Sequence, residues 1–355
     1  MFRRLSLLFG IVFHLTLCFS LRNLVFASPA LPELAIYTYD SFVASGGLGP
    51  AILPLFEKKY GCHVRYLSSG DAGQMLTRLQ LDFKNGKVLG QLIVGLDQHS
   101  WKKAKPWIET WGDWIPRGYA QIIREVRIDL GFMPYDYSPL TWIVDRKILE
   151  EMHLKIPTSL GDLLKPEWKR KIILEDPRAS PAGLAFLLFV DQVFGSSSEN
   201  FWEKFRGQWL TLQPSWDAAY GLFLRNEAPL VWSYLTSQAF HQENGDPSGS
   251  ARRYQAILFK EGQPVQVEGA ACVKGAFQNL QQKLLAQHFL EFLVSTEVQA
   301  LIPRTNWMIP VIQNREIPES FKNLPELTRL VPIYLEADRI EKAIDEWNRV
   351  VYSSF

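Results

Sequence analysis

Leu34-Ala35-Ile36-Tyr37-Thr38-Tyr39, followed at once by Asp40-Ser41-Phe42 and a glycine-rich loop at Gly46, Gly47 and Gly49, decides how the rest of the chain is read. The first six residues are apolar, β-branched or aromatic, the composition of a buried strand, and the run ends in polar residues. A helical stretch follows over 51–60, and Val64 to Leu67 makes a second short strand. Asp71 then opens a helix. Met75, Leu76, Leu79 and Phe83 share one face at helical spacing, and Gln74 completes a capping-box pair with Asp71. Leu92 to Leu96 is a third buried strand. Alternation of strand and helix predicts an α/β fold with a largely parallel sheet. In such sheets ligands bind beyond the carboxyl ends of the strands. Those ends are Tyr39-Asp40-Ser41, Ser68 to Asp71, and Leu96-Asp97.

A second unit is expected after Met133-Pro134-Tyr135-Asp136-Tyr137. Pro157 to Leu164 reads as a capped helix start, Ile172 to Leu174 as a strand, and Gly183 to Val193 as a strongly apolar helix. Leu230 to Tyr234 is another strand end, and the polar, glycine-containing stretch from His241 to Arg253 reads as a surface loop. Gln263 to Val273 resembles a returning strand. Leu280 to Leu293 and Thr296 to Ile302 read as helices, and the 332–351 tail as a charged amphipathic one. Neither an internal repeat nor a low-complexity tract interrupts this order.

Composition narrows the function classes. The 355 residues are 47% apolar and 21% charged, with a net charge of +1, so nothing points to nucleic acid or an anionic membrane as a bulk partner. Twelve Trp, 12 Tyr and 22 Phe supply enough rings for a core and an aromatic ligand box together. Arg3 and Arg4, the apolar run from Leu5 to Leu21, and Val25-Phe26-Ala27 before Ser28 have the form of a cleaved export signal over 1–27, with an uncleaved anchor as the alternative. Leu17 before Cys18 argues against lipid attachment there. Cys62 and Cys272 remain, as two buried free thiols or as a bridge in an oxidising compartment. The chain lacks HExxH, GxSxG, P-loop and GxGxxG motifs, and its six His residues are scattered, so neither an enzyme nor a metal or cofactor site is expected. Iron capture would want adjacent tyrosines, and no Tyr-Tyr pair occurs.

At Tyr37-Thr38-Tyr39-Asp40-Ser41-Phe42 the chain resembles the periplasmic thiamine-binding proteins of bacterial thiamine ABC importers. The similarity recurs at Gly95-Leu96-Asp97, at Pro134-Tyr135-Asp136-Tyr137, and along Glu175-Asp176-Pro177-Arg178-Ala179-Ser180-Pro181-Ala182-Gly183-Leu184. It is most specific at Trp216-Asp217-Ala218-Ala219-Tyr220-Gly221-Leu222-Phe223-Leu224 and at Asn306-Trp307-Met308 with Pro310. The resemblance implies a type II periplasmic-binding-protein fold, two α/β lobes joined by crossover strands with a ligand cleft between them. It implies lobe 1 at 28–136 and 266–320, lobe 2 at 137–265, a helical tail over 321–355 packing on the lobes, and a hinge near 136 and 266. The implied role is a monomeric periplasmic capture protein that delivers thiamine or a thiamine phosphate to a membrane permease. The same architecture holding a polyamine, a phosphonate or iron is the alternative.

The resemblance also places candidate site residues. Tyr39, Asp71, Ser180, Trp216, Tyr234 and Trp307 fall on positions that line the family's pocket, and Tyr220 and Asn306 belong to the same specific blocks. Gly46 stands where the family has a Trp, Phe240 where it has a Tyr, and Gln91 where it has an acid. These residue types suit a flat aminopyrimidine joined to a thiazolium cation, because aromatic faces attract a cation by about 0.5–2 kcal/mol each. A carboxylate such as Asp40 or Asp97 would accept from the amine or balance the charge. A phosphate would find backbone N–H groups near Ala72 and Gly73, where the helix begins. Trp101, Trp107, Trp111 and Trp114 read as a surface-packed loop or helix with no ligand role.

Overall fold

The chain enters through β1 (Glu33–Thr38), whose residues after Glu33 are all buried. Tyr39 turns it into a short helix, α1 (Asp40–Val43), and the glycine loop leads into α2 (Leu48–Tyr60). β2 (His63–Ser68) leads to Asp71, which caps α3 (Ala72–Lys84) as its sequence predicts. Its carboxylate accepts from Ala72 N at 2.8 Å, and Gln74 Oε1 accepts from Asp71 N at 2.9 Å. β3 (Leu92–Asp97) runs into α4 (Gln98–Ala104), capped by Asp97. This computed structural model describes residues 31–245, 253–313, 317–327, 329–331 and 336–352. The expected signal over 1–27 lies outside them.

Two long strands tie the halves of the body together. β4 (Met133–Asp145) leads to α5 (Arg146–Glu151) and then to β5 (Ile172–Glu175), α6 (Pro181–Phe194) and α7 (Ser198–Phe205). β6 (Trp209–Gln213), α8 (Trp216–Leu224), β7 (Leu230–Tyr234), α9 (Ser237–Asn244) and β8 (Tyr254–Ile257) follow. β9 (Gln263–Cys272) returns the chain to the first half, where α10 (Leu280–Leu293), α11 (Thr296–Thr305) and β10 (Ile309–Pro310) pack. α12 (Glu319–Lys322), β11 (Leu330–Val331) and α13 (Ala337–Tyr352) close it.

The strand order is β2-β1-β3-β9-β4-β7-β5-β6. The expected parallel pairing holds at the flanks, β2-β1-β3 and β7-β5-β6, and fails in the middle. β9 is antiparallel to both β3 and β4, and β4 is antiparallel to β7. The physical reason is that β4 and β9 cross between halves in opposite directions and pair with each other where they pass.

Each half has its own core. Tyr37, Phe42, Phe56, Met75 and Leu79 belong to the first. In the second half, Trp142 and Val144 of β4 enter one cluster while Ile143 enters another, as the strand's two-residue alternation requires. α6 is buried over Pro181 to Val190 and has core on every side. Ile340, Ala343, Trp347 and Val351 of α13 belong to the same cluster. Three sequence expectations are corrected here. Trp101 and Trp111 are buried in the first core, with Trp107 and Trp114 packed on it, so that quartet is not a surface feature. Pro157 to Leu164 gives only a single 3-10 turn at Asp162–Leu164, which Pro166 stops from continuing. His241 sits buried inside α9, so the stretch read as a loop begins as helix. Residues 246–252 of that stretch lie outside the described residues. Cys62 and Cys272 are free and buried.

Candidate functional site

A cavity of about 390 Å³ opens beyond the carboxyl ends of strands from both halves. Tyr39 enters it from the end of β1. Its ring lies against β3 because residue 95 is glycine: a Cβ there, at φ +102°, would stand 2.2 Å from two ring carbons of Tyr39. Asp71 enters from the start of α3, Trp216 and Tyr220 from α8, Tyr234 from the end of β7, and Phe240 from α9. Asn306 and Trp307 close it from the loop after α11. Trp307 holds φ +53°, a left-handed conformation that costs a bulky residue about 1–2 kcal/mol, and such strain gathers at functional positions. A larger groove of about 630 Å³ lies between α6, α7 and α13, but it is lined mainly by polar and charged side chains and lies away from the strand ends.

One wall is polar. The Tyr39 hydroxyl donates to Glu268 Oε2 at 2.9 Å, with Asn306 Oδ1 also within 3.3 Å. Tyr135 donates to the same carboxylate oxygen at 3.0 Å. Gln266 Nε2 donates to Glu268 Oε1 at 3.1 Å and to the Tyr234 hydroxyl at 2.8 Å. Asn306 Nδ2 donates to Asp136 Oδ2 at 2.6 Å. Asp136 is the direct cross-strand neighbour of Glu268 on β4.

The facing wall is aromatic. Trp216 stacks on Tyr220 at 4.9 Å and 21° and tilts against Tyr234 at 5.9 Å. Trp216 Nε1 donates to Ser233 Oγ at 2.8 Å, and the Tyr220 hydroxyl meets His241 Nε2 at 2.8 Å. Phe240 meets Trp307 edge-on at 5.1 Å, across the two halves. The halves also meet at Asp71 Oδ2, which accepts from Trp216 N at 3.4 Å. Ala179 O approaches Gly73 so closely that a Cβ there would lie 2.3 Å from it.

The cavity is acidic. Asp71, Asp217 and Glu268 line it, and none of its lining residues is Lys, Arg or His. Burial pushes Asp71 up to about 6 against the N–H groups of Ala72 and Trp216, and pushes Glu268 up to about 7 against the hydroxyls of Tyr39 and Tyr135. Asp217 is raised by burial and then by Asp40. Asp136 and Glu175 stand behind the wall, both raised well above the carboxylate range chiefly by burial. Rings beside carboxyls with no protein cation suit a flat, positively charged ligand.

Of the candidates read from the sequence, the fold brings Tyr39, Asp71, Ala72, Trp216, Tyr220, Tyr234, Phe240, Asn306 and Trp307 onto one cavity. Three candidates, Asp40, Ser180 and Asp97, do not line it. Asp40 is exposed, because the turn after Tyr39 sends consecutive side chains in different directions. Ser180 is buried at the start of α6, and its neighbour Pro181 takes the lining position. Asp97 is spent as the cap of α4, accepting from His99 N at 2.7 Å. Gln91 is structural, with Oε1 accepting from Ala35 N at 2.9 Å. Gly46 lines the cavity with open space around it, since a Cβ there meets nothing within 4 Å. Sequence reasoning passed over Glu268 and Asp217. A lone carboxylate in the otherwise uncharged run 263–272 was the available signal for Glu268. Among the described residues no cluster of side chains could hold a metal ion, and no helix is long and apolar enough to cross a membrane.

Comparison with known proteins places this arrangement. The family model for bacterial extracellular solute-binding protein matches residues 119–336. The chain is 36% identical to the thiamine-binding periplasmic protein of Brucella abortus over 93% of its own length and 95% of the relative's. It is 35% identical to the protein of the same name from Escherichia coli K12, over 91% and 94%. A solved periplasmic thiamin binding protein superposes with a TM-score of 0.79 at 31% identity, covering 92% of this chain and 98% of that one. These relatives are binding proteins by name, in line with the absence of enzyme motifs noted above. With two α/β halves, crossing strands and a cleft between them, the chain belongs to the bacterial extracellular solute-binding protein family.

Proposed function

We propose that this protein captures thiamine, free or phosphorylated, in the cleft between its lobes and hands it to the permease of an ABC importer. The observation that carries this reading is the cavity itself: Trp216, stacked on Tyr220 and tilted against Tyr234, shares it with the carboxyls of Asp71, Asp217 and buried Glu268, and no basic side chain lines it. A thiazolium cation gains from each ring face it meets, and the two ring systems remove their own apolar area from water. Glu268 and Asp71 supply acceptors and counter-charge. Relatives at 36% and 35% identity named as thiamine-binding periplasmic proteins support the same ligand. The chain then works as a monomer outside the cytoplasm, from Ser28 onward once a signal is removed. Lobe 1 comprises 28–136 and 266–320, lobe 2 comprises 137–265, and closure hinges near 136 and 266. Contacts between the halves at Asp71 with Trp216 and at Phe240 with Trp307 would break on opening.

Titration calorimetry of the chain from Ser28 tests this against thiamine, its monophosphate, its diphosphate and spermidine. One-to-one binding of a thiamine form, with none of spermidine, is the expected result. A folded protein that takes up none of the three thiamine forms overturns it, and spermidine binding in their place moves the reading to a polyamine.

A further inference from the structure

Glu268 and Asp136 face one another directly across the antiparallel pair of β9 and β4, 8% and 0% exposed. Two ionised carboxyls so placed repel, and a buried site normally answers with a protein cation. Here it does not. The groups around the pair are Tyr39 at the end of β1, Asp97 at the end of β3 (the register partner of Glu268 on its other side), Tyr135 on β4, Gln266 on β9, Tyr234 on β7, Asn306 after α11 and Asp71 opening α3. Each is neutral or acidic. The two carboxyls are also provided for differently. Glu268 accepts three hydrogen bonds, from Tyr39, Tyr135 and Gln266, and lines the cavity. Asp136 accepts only from Asn306 on Oδ2, and its buried Oδ1 has no partner among the described residues. The geometry therefore prepares Glu268 to carry negative charge toward the cavity and leaves Asp136 as the carboxyl that keeps a proton.

We propose that Glu268 selects a positive charge at this site, and that the bound cation replaces one proton otherwise held by the Glu268–Asp136 pair. The proton leaves to solvent, and the fixed cation takes its place as the counter-charge. Ligand uptake is thereby coupled to pH. This rests on the thiamine reading above and deepens it: a ligand with a quaternary nitrogen cannot bring its own proton, so the protein's must go. Burial of the pair, which raises both carboxyls, makes the exchange fall near neutrality rather than near pH 4.

Calorimetry with free thiamine at pH 6.5, in buffers of differing ionisation enthalpy, counts the protons released. About one proton per ligand is expected, with affinity falling up to about tenfold per pH unit below pH 7. Glu268→Gln keeps the side-chain shape and acceptor oxygen. It should release markedly less than the parent's one proton at pH 6.5, leaving only what Asp71 contributes, and bind thiamine at least about tenfold more weakly at pH 7.5. Glu268→Asp should restore the pH dependence, which a merely structural role for the side chain would not do. Thermal unfolding confirms that both variants fold. Binding of thiamine without proton release, or a glutamine variant that titrates like the parent, overturns this inference alone. Failure of the parent chain to bind any thiamine form overturns the functional reading, and this one with it.

Discussion

Tyr39, Asp71, Glu268 and Asn306 form a wall whose side chains are set largely by hydrogen bonds between residues far apart in sequence, whereas Trp216, Tyr220, Tyr234 and Phe240 face them from a stretch of 25 positions packed mostly ring on ring. The aromatic wall works through buried area and ring quadrupoles, which change little with pH or salt. The polar wall works through charge in a desolvated place, where one proton more or less alters the balance. On the proposed reading, affinity would rest mainly on one side of the cleft and choice of charge on the other.

The largest expected effect tests the aromatic side. Trp216→Ala removes a ring stacked on Tyr220 and its bond to Ser233. It should weaken thiamine binding by about 2–4 kcal/mol, or roughly 30-fold to a thousandfold, with little change in pH dependence. A loss below threefold in calorimetry would break the comparison, because the rings would then not be where the affinity resides.

The next effect is on stability without ligand. Glu268 is raised from 4.5 to about 7, so the native state holds more protons than the unfolded chain between those values. Its contribution to stability therefore falls as pH rises through that window. Glu268→Gln removes the fall: the variant should match the parent at pH 5 and exceed it at pH 7.5 by about 1–3 kcal/mol in denaturant unfolding. A difference that does not grow with pH would show that Glu268 is not strained by its neighbours.

Tyr39→Phe sharpens the contrast from the polar side. The ring against Gly95 stays, and the proton donated to Glu268 is lost. Binding should weaken about tenfold at pH 7.5, and the pH at which affinity falls should move upward. The smallest effect belongs to Phe240→Tyr, which keeps the edge contact with Trp307 and adds a hydroxyl at the cavity. Free thiamine should bind within about threefold of the parent. A larger gain would place a polar contact on the aromatic wall.

Much of this was legible in the residues. The strand 34–39, the capping box of Asp71 and Gln74, the apolar helix after Ser180 and the helix 280–293 follow from local periodicity and local caps. The aromatic wall was legible through the family resemblance, whose motif blocks hold Trp216, Tyr220 and Phe240. The antiparallel centre of the sheet was not, because pairing Tyr137 with Val267 joins positions 130 apart and leaves no periodic trace. Trp101 and Trp111 were misread for want of the same information: lysines and prolines between them suggested a surface, while the rings themselves point into the core.

By itself the sequence determined most of the strands and helices and their alternation, which depend on neighbours within a few turns of chain, and its motif blocks carried the resemblance that pointed to the family and the aromatic side of the cleft. Only the tertiary structure decided that Asp40 and Asp97 turn away, that Gly46 leaves open space, and that Glu268 stands opposite Asp136 at the cavity wall. A carboxyl's role depends on what surrounds it once water is removed, and those surroundings come from β1, β4, β9 and α11 together.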